Sequence, residues 1–499
     1  MDRLTALLRA GRFAEAIAAA SAEARAHPRA PAAWVRLVQA QLAAERLEAA
    51  LAASEAGLAA CPGDPDLLCM AGQVLLGLSR VDAARDRLHA ALARAPGHFG
   101  AAFGLARLAV EDGRWAEAEA LLERLRSLAP DRPDLEWLSA ETSAGRGDLE
   151  AARRTLEAVA VDPRVSPAQK AGALLRLGDI LDRLGKASQA FAAAAQGKAI
   201  QRALYAERAA GRESVTARFR RLEAWFRAAD AAPWRQAPQA AASPRDPSIH
   251  VFLVGFPRSG TTLLELALAG APEVVSLEEA PTLASAHAEF LADPEGLRRL
   301  AALDSAEAAA WREAYWTEVR SRGVDPAGRV FLDKAPAGTE DLPLVAKLFP
   351  SARVLFALRD PRDVVLSCFR QDFQMNALTY AFTELAEAAG AYDAAMALAD
   401  AYRRILPLEV TEIRHEKLLE DVPEGLRRIC DRLGLAWDPR MADPAATARD
   451  RSVRTPSAAQ VREGVNRKGV ARWRRYAAEL APVLPALAPW IARYGYPAA

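Results

Sequence analysis

Pro28, Pro62, Pro96 and Pro130 stand 34 residues apart in the first third of the chain. A second mark keeps the same interval: Ala16, Ala50, Ala84, Ala118 and Ala152. A third lies three residues before each alanine, where Phe13, Leu47, Val81, Trp115 and Leu149 are all apolar. Three marks on one period describe a repeated unit, and a unit too small to bury its own apolar face must stack on its copies. The marks read as a helical hairpin. Alanine lets two helices approach, the apolar residue packs on the neighbouring repeat, and proline with small polar residues ends one hairpin and starts the next. Gly11, Gly113 and Gly147 fall in the turn within a hairpin.

A helix–turn–helix unit of this length resembles the tetratricopeptide (TPR) repeat. The pattern covers about residues 1–163, and a slightly shifted copy, "ALLRLGDILDRLGKASQAFAAAAQGKAI", runs on to about 200. The resemblance implies an α-solenoid whose groove takes a peptide or protein, or whose helices only brace the chain or mediate self-association. With 499 residues there is room for at least one more domain. A formal net charge of +1 gives no general reason to expect nucleic acid or a membrane surface as partner. No uncharged run approaches the ~20 residues that span a bilayer. The start, "MDRLTALLRAGRFAEA", reads as an amphipathic helix and not a signal sequence, so a cytoplasmic protein is expected. Cys61, Cys69, Cys368 and Cys430 lack the spacing of a disulfide framework or a zinc site and read as isolated thiols.

The grammar changes near residue 230. "ADAAPWRQAPQAAASPRDPS" is rich in Pro, Ala and Gln and reads as a linker. After it come short apolar runs of the buried parallel-strand kind: "IHVFLVGF", "EVVSL", "RVFLD", "ARVLFALRD" and "LEVTEIR". Helical segments separate them. The expected organisation is a TPR-like α-solenoid over 1–204, a helical segment and linker over 205–247, and an α/β domain with a central parallel sheet over 248–499.

The first strand runs into "GFPRSGTT". Gly255 and Gly260 have the spacing of a phosphate-binding P-loop and Thr262 its hydroxyl, but Thr261 stands where the lysine belongs. Backbone N–H groups at a helix start bind anions without a lysine. Arg258 is the one fixed cation within that loop, and no acidic magnesium partner stands out near a strand end. A phosphosulfate, less charged than a triphosphate, suits such a loop.

"PRSGTT" after a strand resembles the 5′-phosphosulfate-binding loop of sulfotransferases that use 3′-phosphoadenosine 5′-phosphosulfate (PAPS). "ALRDPRDVVLS" resembles their 3′-phosphate segment, an arginine and a serine eight residues on, here Arg359 and Ser367. Guanidinium and hydroxyl suit a phosphate monoester. TPR array first and catalytic domain second, the chain is similar to bacterial TPR-containing sulfotransferases, whose domain is related to tyrosylprotein sulfotransferases.

That resemblance implies the remaining roles. In "EVVSLEEAPTL", Glu279 matches the catalytic base, with Glu278 beside it; His287 is a competing base in principle, read as packing or facing solvent. In "FLDKAP", Lys334 matches the lysine that stabilises the leaving phosphate oxygen. Arg258 adds charge stabilisation. "RTPSAAQVREGVNRKGVARWRRY" resembles the loop that closes over the nucleotide, with Ser457 assisting the transition state. The implied nucleotide contacts are Arg258, Ser259, Gly260, Thr261, Thr262, Arg359, Ser367, Gln460, Val461, Asn466 and Arg472. Two positions depart from the tyrosylprotein pattern: Gln371, beside Arg370, replaces an arginine, and His415 replaces a tyrosine. The expected activity is sulfuryl transfer from PAPS, without metal, to a hydroxyl, releasing 3′-phosphoadenosine 5′-phosphate (PAP). A protein or peptide tyrosine is the acceptor the array suggests; carbohydrate and small-molecule acceptors and the oligomeric state stay open. The rivals are a P-loop kinase-like ATP enzyme and a TPR interaction scaffold with an inactive domain.

Overall fold

The computed structural model describes residues 3–78, 80–130, 132–236, 238, 245–450, 461 and 464–498. They form two compact units, Met1–Gly185 and Lys186–Ala499.

The first unit is all helix. Ala16, Ala50, Ala84, Ala118 and Ala152 have no exposed surface, as close helix contacts require. Trp115 and Leu47 reach the next repeat: a Cβ at Gly145 would lie 2.4 Å from the Trp115 ring, and one at Gly77 3.1 Å from Leu47. Gly11, Gly113 and Gly147 turn with φ of 70°, 71° and 91°. Glu45 occupies the same position in the second repeat at φ 59°, a left-handed conformation that costs a side-chain-bearing residue roughly 1–2 kcal/mol. Helices Pro31–Ala43, Pro65–Gly77, Phe99–Glu111 and Pro133–Gly145 have 13 residues each, but Pro167–Arg183 has 17. One additional helical turn explains the shifted last copy: the following turn glycine is Gly185, not residue 181.

The second unit holds five parallel strands: β1 (Ile249–Gly255), β2 (Val274–Glu278), β3 (Val330–Lys334), β4 (Arg353–Leu358) and β5 (Glu409–Arg414). Their order is β2-β3-β1-β4-β5. Each coincides with one of the apolar runs in the sequence. β1 is central and buried from its second residue onward, so it carries apolar side chains on both faces. The chain leaves β1 toward β2 on one side and β4 toward β5 on the other. Open parallel sheets bind ligands at the strand carboxyl ends where the order reverses in this way.

Helices Ala187–Ala209 and Val215–Ala228 belong to this unit. Lys198, fully buried, donates to the Gln371 carbonyl at 2.7 Å, and Gln201 donates to Asp372 at 2.7 Å. The segment read as a linker is anchored at its start. Trp234 is fully buried, 5.0 Å from the Phe226 ring, while Lys347 donates to the Pro233 carbonyl at 2.7 Å. A proline-rich text carries no period, yet one buried tryptophan fixes its place. Among the described residues no helix is long and apolar enough to cross a membrane.

Candidate active site

The carboxyl end of β1 opens into the loop 255–260, and Gly260 caps helix Thr261–Leu268. Gly255 must lack a side chain because a Cβ there would sit 2.6 Å from the Ala357 carbonyl oxygen on β4. Gly260 has φ 98°, and a Cβ would lie 2.4 Å from Nδ1 of His415. Arg258, nearly buried, adopts φ 71°. Left-handed backbone at a non-glycine residue costs roughly 1–3 kcal/mol and persists where neighbours over-determine it. Here they do. Arg258 Nε donates to Ser367 Oγ at 2.9 Å, and the Arg258 carbonyl accepts from Arg359 Nη1 at 3.0 Å. Loop and second segment are thus bonded side chain to side chain. Ser259, Thr261 and Thr262 are buried within the same turn. Burial, with Arg359 and Arg258 adding to it, lowers the His415 imidazole to about 3. His415 is therefore a neutral wall of the loop at neutral pH.

A second cluster forms one strand away. β2 and β3 pair Glu278 opposite Lys334, and β1 pairs Leu253 opposite the same lysine. Lys334 has no exposed surface. Its Nζ donates to Glu279 Oε1 at 2.8 Å and Glu278 Oε1 at 3.1 Å, and lies 3.4 Å from Glu265 Oε2. Burial opposes the lysine's charge, but Glu265, Glu279 and Glu278 outweigh it and hold the pKa above the ordinary value. Glu265 is buried, which raises its carboxyl against the pull of Lys334. Glu279 is the most exposed of the three carboxylates, with 45% of its side chain exposed against 22% for Glu278. It too is left-handed, at φ 48°, and its N–H donates to the Lys334 carbonyl at 2.8 Å. The strained turn is tied again by Thr282, whose hydroxyl donates to buried Asp333 at 2.9 Å. Tyr315 donates to the same carboxylate oxygen at 2.7 Å, so neutral His250 must donate its Nε2–H to Tyr315.

Helix Ala284–Phe290 starts five residues after Glu279, so no continuous helix joins Glu279 to His287. His287 is not a free surface group: its Nδ1 lies 2.7 Å from Asp341. Burial works against its charge, but the Asp341 bond prevails and raises its pKa. Ser457 and Gln460 lie outside the described residues. Val461 buries its side chain in the apolar cluster with Leu263 and Leu418. Asn466 is exposed and bonds within its own segment, donating to Gly464 O and accepting from Lys468 N–H. Arg472 opens the short helix Arg472–Tyr476. The Gln371 amide donates to the neighbouring Asp372 carbonyl, and Arg370 packs 5.0 Å from the Tyr476 ring.

Residues 250–439 match the family described as "Sulfotransferase family", and residues 1–65, 75–141 and 109–171 match tetratricopeptide repeats. The chain carries a sulfotransferase-family domain behind TPR repeats. It is 28% identical over 244 residues to an uncharacterized protein of Aquifex aeolicus, which covers 48% of this chain but 32% of that protein. The chain therefore spans about a third of the length of that relative. It is 25% identical over 265 residues to Protein-tyrosine sulfotransferase 2 of Gallus gallus, covering 49% of this chain and 69% of that one. Among solved structures, the sulfotransferase domain of a Synechococcus olefin synthase aligns at 24% identity over 48% of this chain and 91% of its own, with a TM-score of 0.34. A TPR protein from Parabacteroides merdae aligns at 15% identity over 41% and 84%, also with a TM-score of 0.34.

Within the sulfotransferase domain, sequence reasoning missed Glu265, Asp333 and Asp363. Glu265 left one signal: it is the lone acid in "TTLLELAL", every residue of which is buried. A charge on an all-buried helix needs a partner, and Lys334 is that partner. Among the described residues no group of His, Cys, Asp and Glu side chains is arranged to hold a metal ion.

Proposed function

We propose that this chain transfers the sulfuryl group of PAPS to a hydroxyl of a polypeptide, a tyrosine in the first instance. The observation that carries the proposal is the bonded pair Arg258–Ser367, with Arg359 on the Arg258 carbonyl. It joins the loop that lacks a lysine to the segment expected to hold a 3′ phosphate. The residues fit an anionic nucleotide: Arg359 keeps a buried Nε with no hydrogen-bond partner among the described residues, and a donor left so is costly unless a ligand satisfies it.

PAPS supplies the sulfuryl group and leaves as PAP. Arg258 and the first turn of helix Thr261–Leu268 hold the 5′ side, and Arg359 with Ser367 the 3′ phosphate. Glu279 takes the proton of the attacking hydroxyl, since it is the most exposed member of its cluster and its strained turn is fixed by β3. Lys334 holds the Glu279 carboxylate and supplies positive charge beside the departing oxygen. Glu265 keeps the lysine charged and aimed from behind. The TPR array presents the polypeptide, in keeping with the usual use of such grooves. Tyrosine as the acceptor draws on the likeness to the Gallus gallus protein.

Transfer of radiolabel from PAPS tests this directly. The purified chain is offered lysate proteins, tyrosine peptides, oligosaccharides and small phenols. Label is expected in protein and peptide tyrosine. Label confined to sugars or small molecules would replace the acceptor class, and no label anywhere would remove the activity.

A further inference from the structure

In "RDPRD" the first arginine is assigned to the nucleotide, but the other charged residues have no task in transfer. They converge on one stretch of chain. Arg359 Nη2 donates to the Gly469 carbonyl at 2.6 Å, and a Cβ at Gly469 would crowd that guanidinium at 3.1 Å. Asp363, 1% exposed, accepts from Ala471 N–H through Oδ2 and from Trp473 N–H through Oδ1, both at 2.8 Å. Ala471 takes φ 56° to present those two amides. Arg362 lies 3.6 Å over the Trp473 ring, bridges Asp360 at 2.7 Å, and donates to the Pro497 carbonyl at 2.8 Å. Residues 464–471 contain no helix or strand, and Val465 to Lys468 are exposed. Side chains at the N-terminus of helix Pro361–Arg370 thus bond this segment beside Arg359, and Val470 packs on the apolar cluster of Leu263 and Leu418.

We propose that Asp363 is a latch that holds residues 469–473 down against Arg359 and so completes the 3′-phosphate pocket. The proposal rests on the reading of this pocket as a PAP site. An acid is needed here. Asparagine keeps the size but offers one acceptor oxygen, and its NH₂ would face a backbone N–H, donor against donor. The latch is also sensitive to acid. Burial raises Asp363 to about 6, Asp360 adding to the rise while Arg359 and the amides of Trp473 and Ala471 oppose it. Arg362, over the Trp473 ring, is paired to Asp360, and Arg474 lies on the same ring. As pH falls through about 6, protonation replaces one acceptor with a donor, so the latch loosens and PAP affinity falls with it.

Two measurements on the full chain test the latch. Amide hydrogen–deuterium exchange is followed over 464–476 without nucleotide, and PAP binding is measured by calorimetry, for wild type, Asp363→Asn and Ala471→Pro. The second variant removes the donor from the loop side and cannot adopt φ 56°, leaving helix Pro361–Arg370 untouched. Asp363→Asn leaves a buried NH₂ facing a backbone N–H, so some loss of melting temperature is expected, and Ala471→Pro reads the latch without that change. Exchange over 464–476 is expected to speed up and PAP affinity to fall, each by about tenfold or more, as when charged hydrogen bonds are lost. β1 and β4 are expected to exchange as in wild type. Unchanged exchange in both variants overturns the latch. Faster exchange with PAP affinity within twofold of wild type overturns its part in the pocket. Wild type that fails to bind PAP would sink the donor assignment, while the exchange data would still decide whether Asp363 holds the segment.

Discussion

Glu279→Gln is expected to lower sulfuryl transfer by about 10²- to 10⁴-fold, the range over which a positioned general base contributes. PAP binding is expected to stay within a few fold of wild type. The separation follows from the geometry. Glu279 touches Lys334 and solvent, whereas the pocket of Arg258, Ser367 and Arg359 lies at the ends of β1 and β4. Glutamine keeps the side-chain length and can still accept from Lys334 Nζ, so the turn at φ 48° is preserved while the base is lost. The paired control is Glu278→Gln. Glu278 is the last residue of β2 and more shielded, with 22% of its side chain exposed, and its loss is expected to cost much less. Equal losses in both variants would mean that the cluster acts only as a scaffold for Lys334.

The second large effect is Lys334→Met. Methionine fits the buried stem but leaves Glu265, Glu278 and Glu279 with no cation at their centre. Breaking a buried ion pair from one side costs about 3–5 kcal/mol, and exposure of Glu278 and Glu279 places this case near about 3. Glu265 bears most of the effect. Its carboxyl is already raised by burial, with Lys334 as the restraint, so removing the lysine raises it further. For an acid raised in this way, protons stay bound in the folded state above the unfolded pKa. Stability of the variant should therefore fall as pH rises through the range where Glu265 is forced to ionise. Urea titration of the second unit at two pH values reads this. Lys334→Met/Glu265→Gln is expected to recover most of the stability and none of the transfer. If the double variant is no more stable than the single one, Glu265 is not the lysine's buried counter-ion.

Much of this fold is written locally. Alanine, proline and turn glycine each impose geometry within one repeat, so period and hairpin were both legible; the shift of the last copy was not interpretable until helix Pro167–Arg183 showed its additional turn. The strands were equally plain, because a parallel strand buried on both faces is one apolar run. The candidate site was legible in placement where a motif follows a strand: "PRSGTT", "EE", "DK" and "RDPRD" all arrive at the carboxyl edge of one sheet. What stayed hidden depends on distant partners. Glu265 has no local partner to mark it, because its lysine comes from β3, 69 residues on. Nothing in the sequence singles out Asp363, because the amides it holds lie more than a hundred residues away. Trp234 sat in aperiodic text that only packing explains. Val461 matched the nucleotide-loop pattern by position, but its side chain lies in the apolar core.

The most direct measurement is calorimetry of the purified chain with PAP and with ATP, each in magnesium and in chelator. PAP is expected to bind one site per chain with equal affinity in both buffers, and ATP at least about 100-fold more weakly, since the loop offers Arg258 and no lysine. Tight, magnesium-dependent binding of ATP with no heat from PAP would contradict the phosphosulfate pocket and return the loop to a nucleoside-triphosphate enzyme.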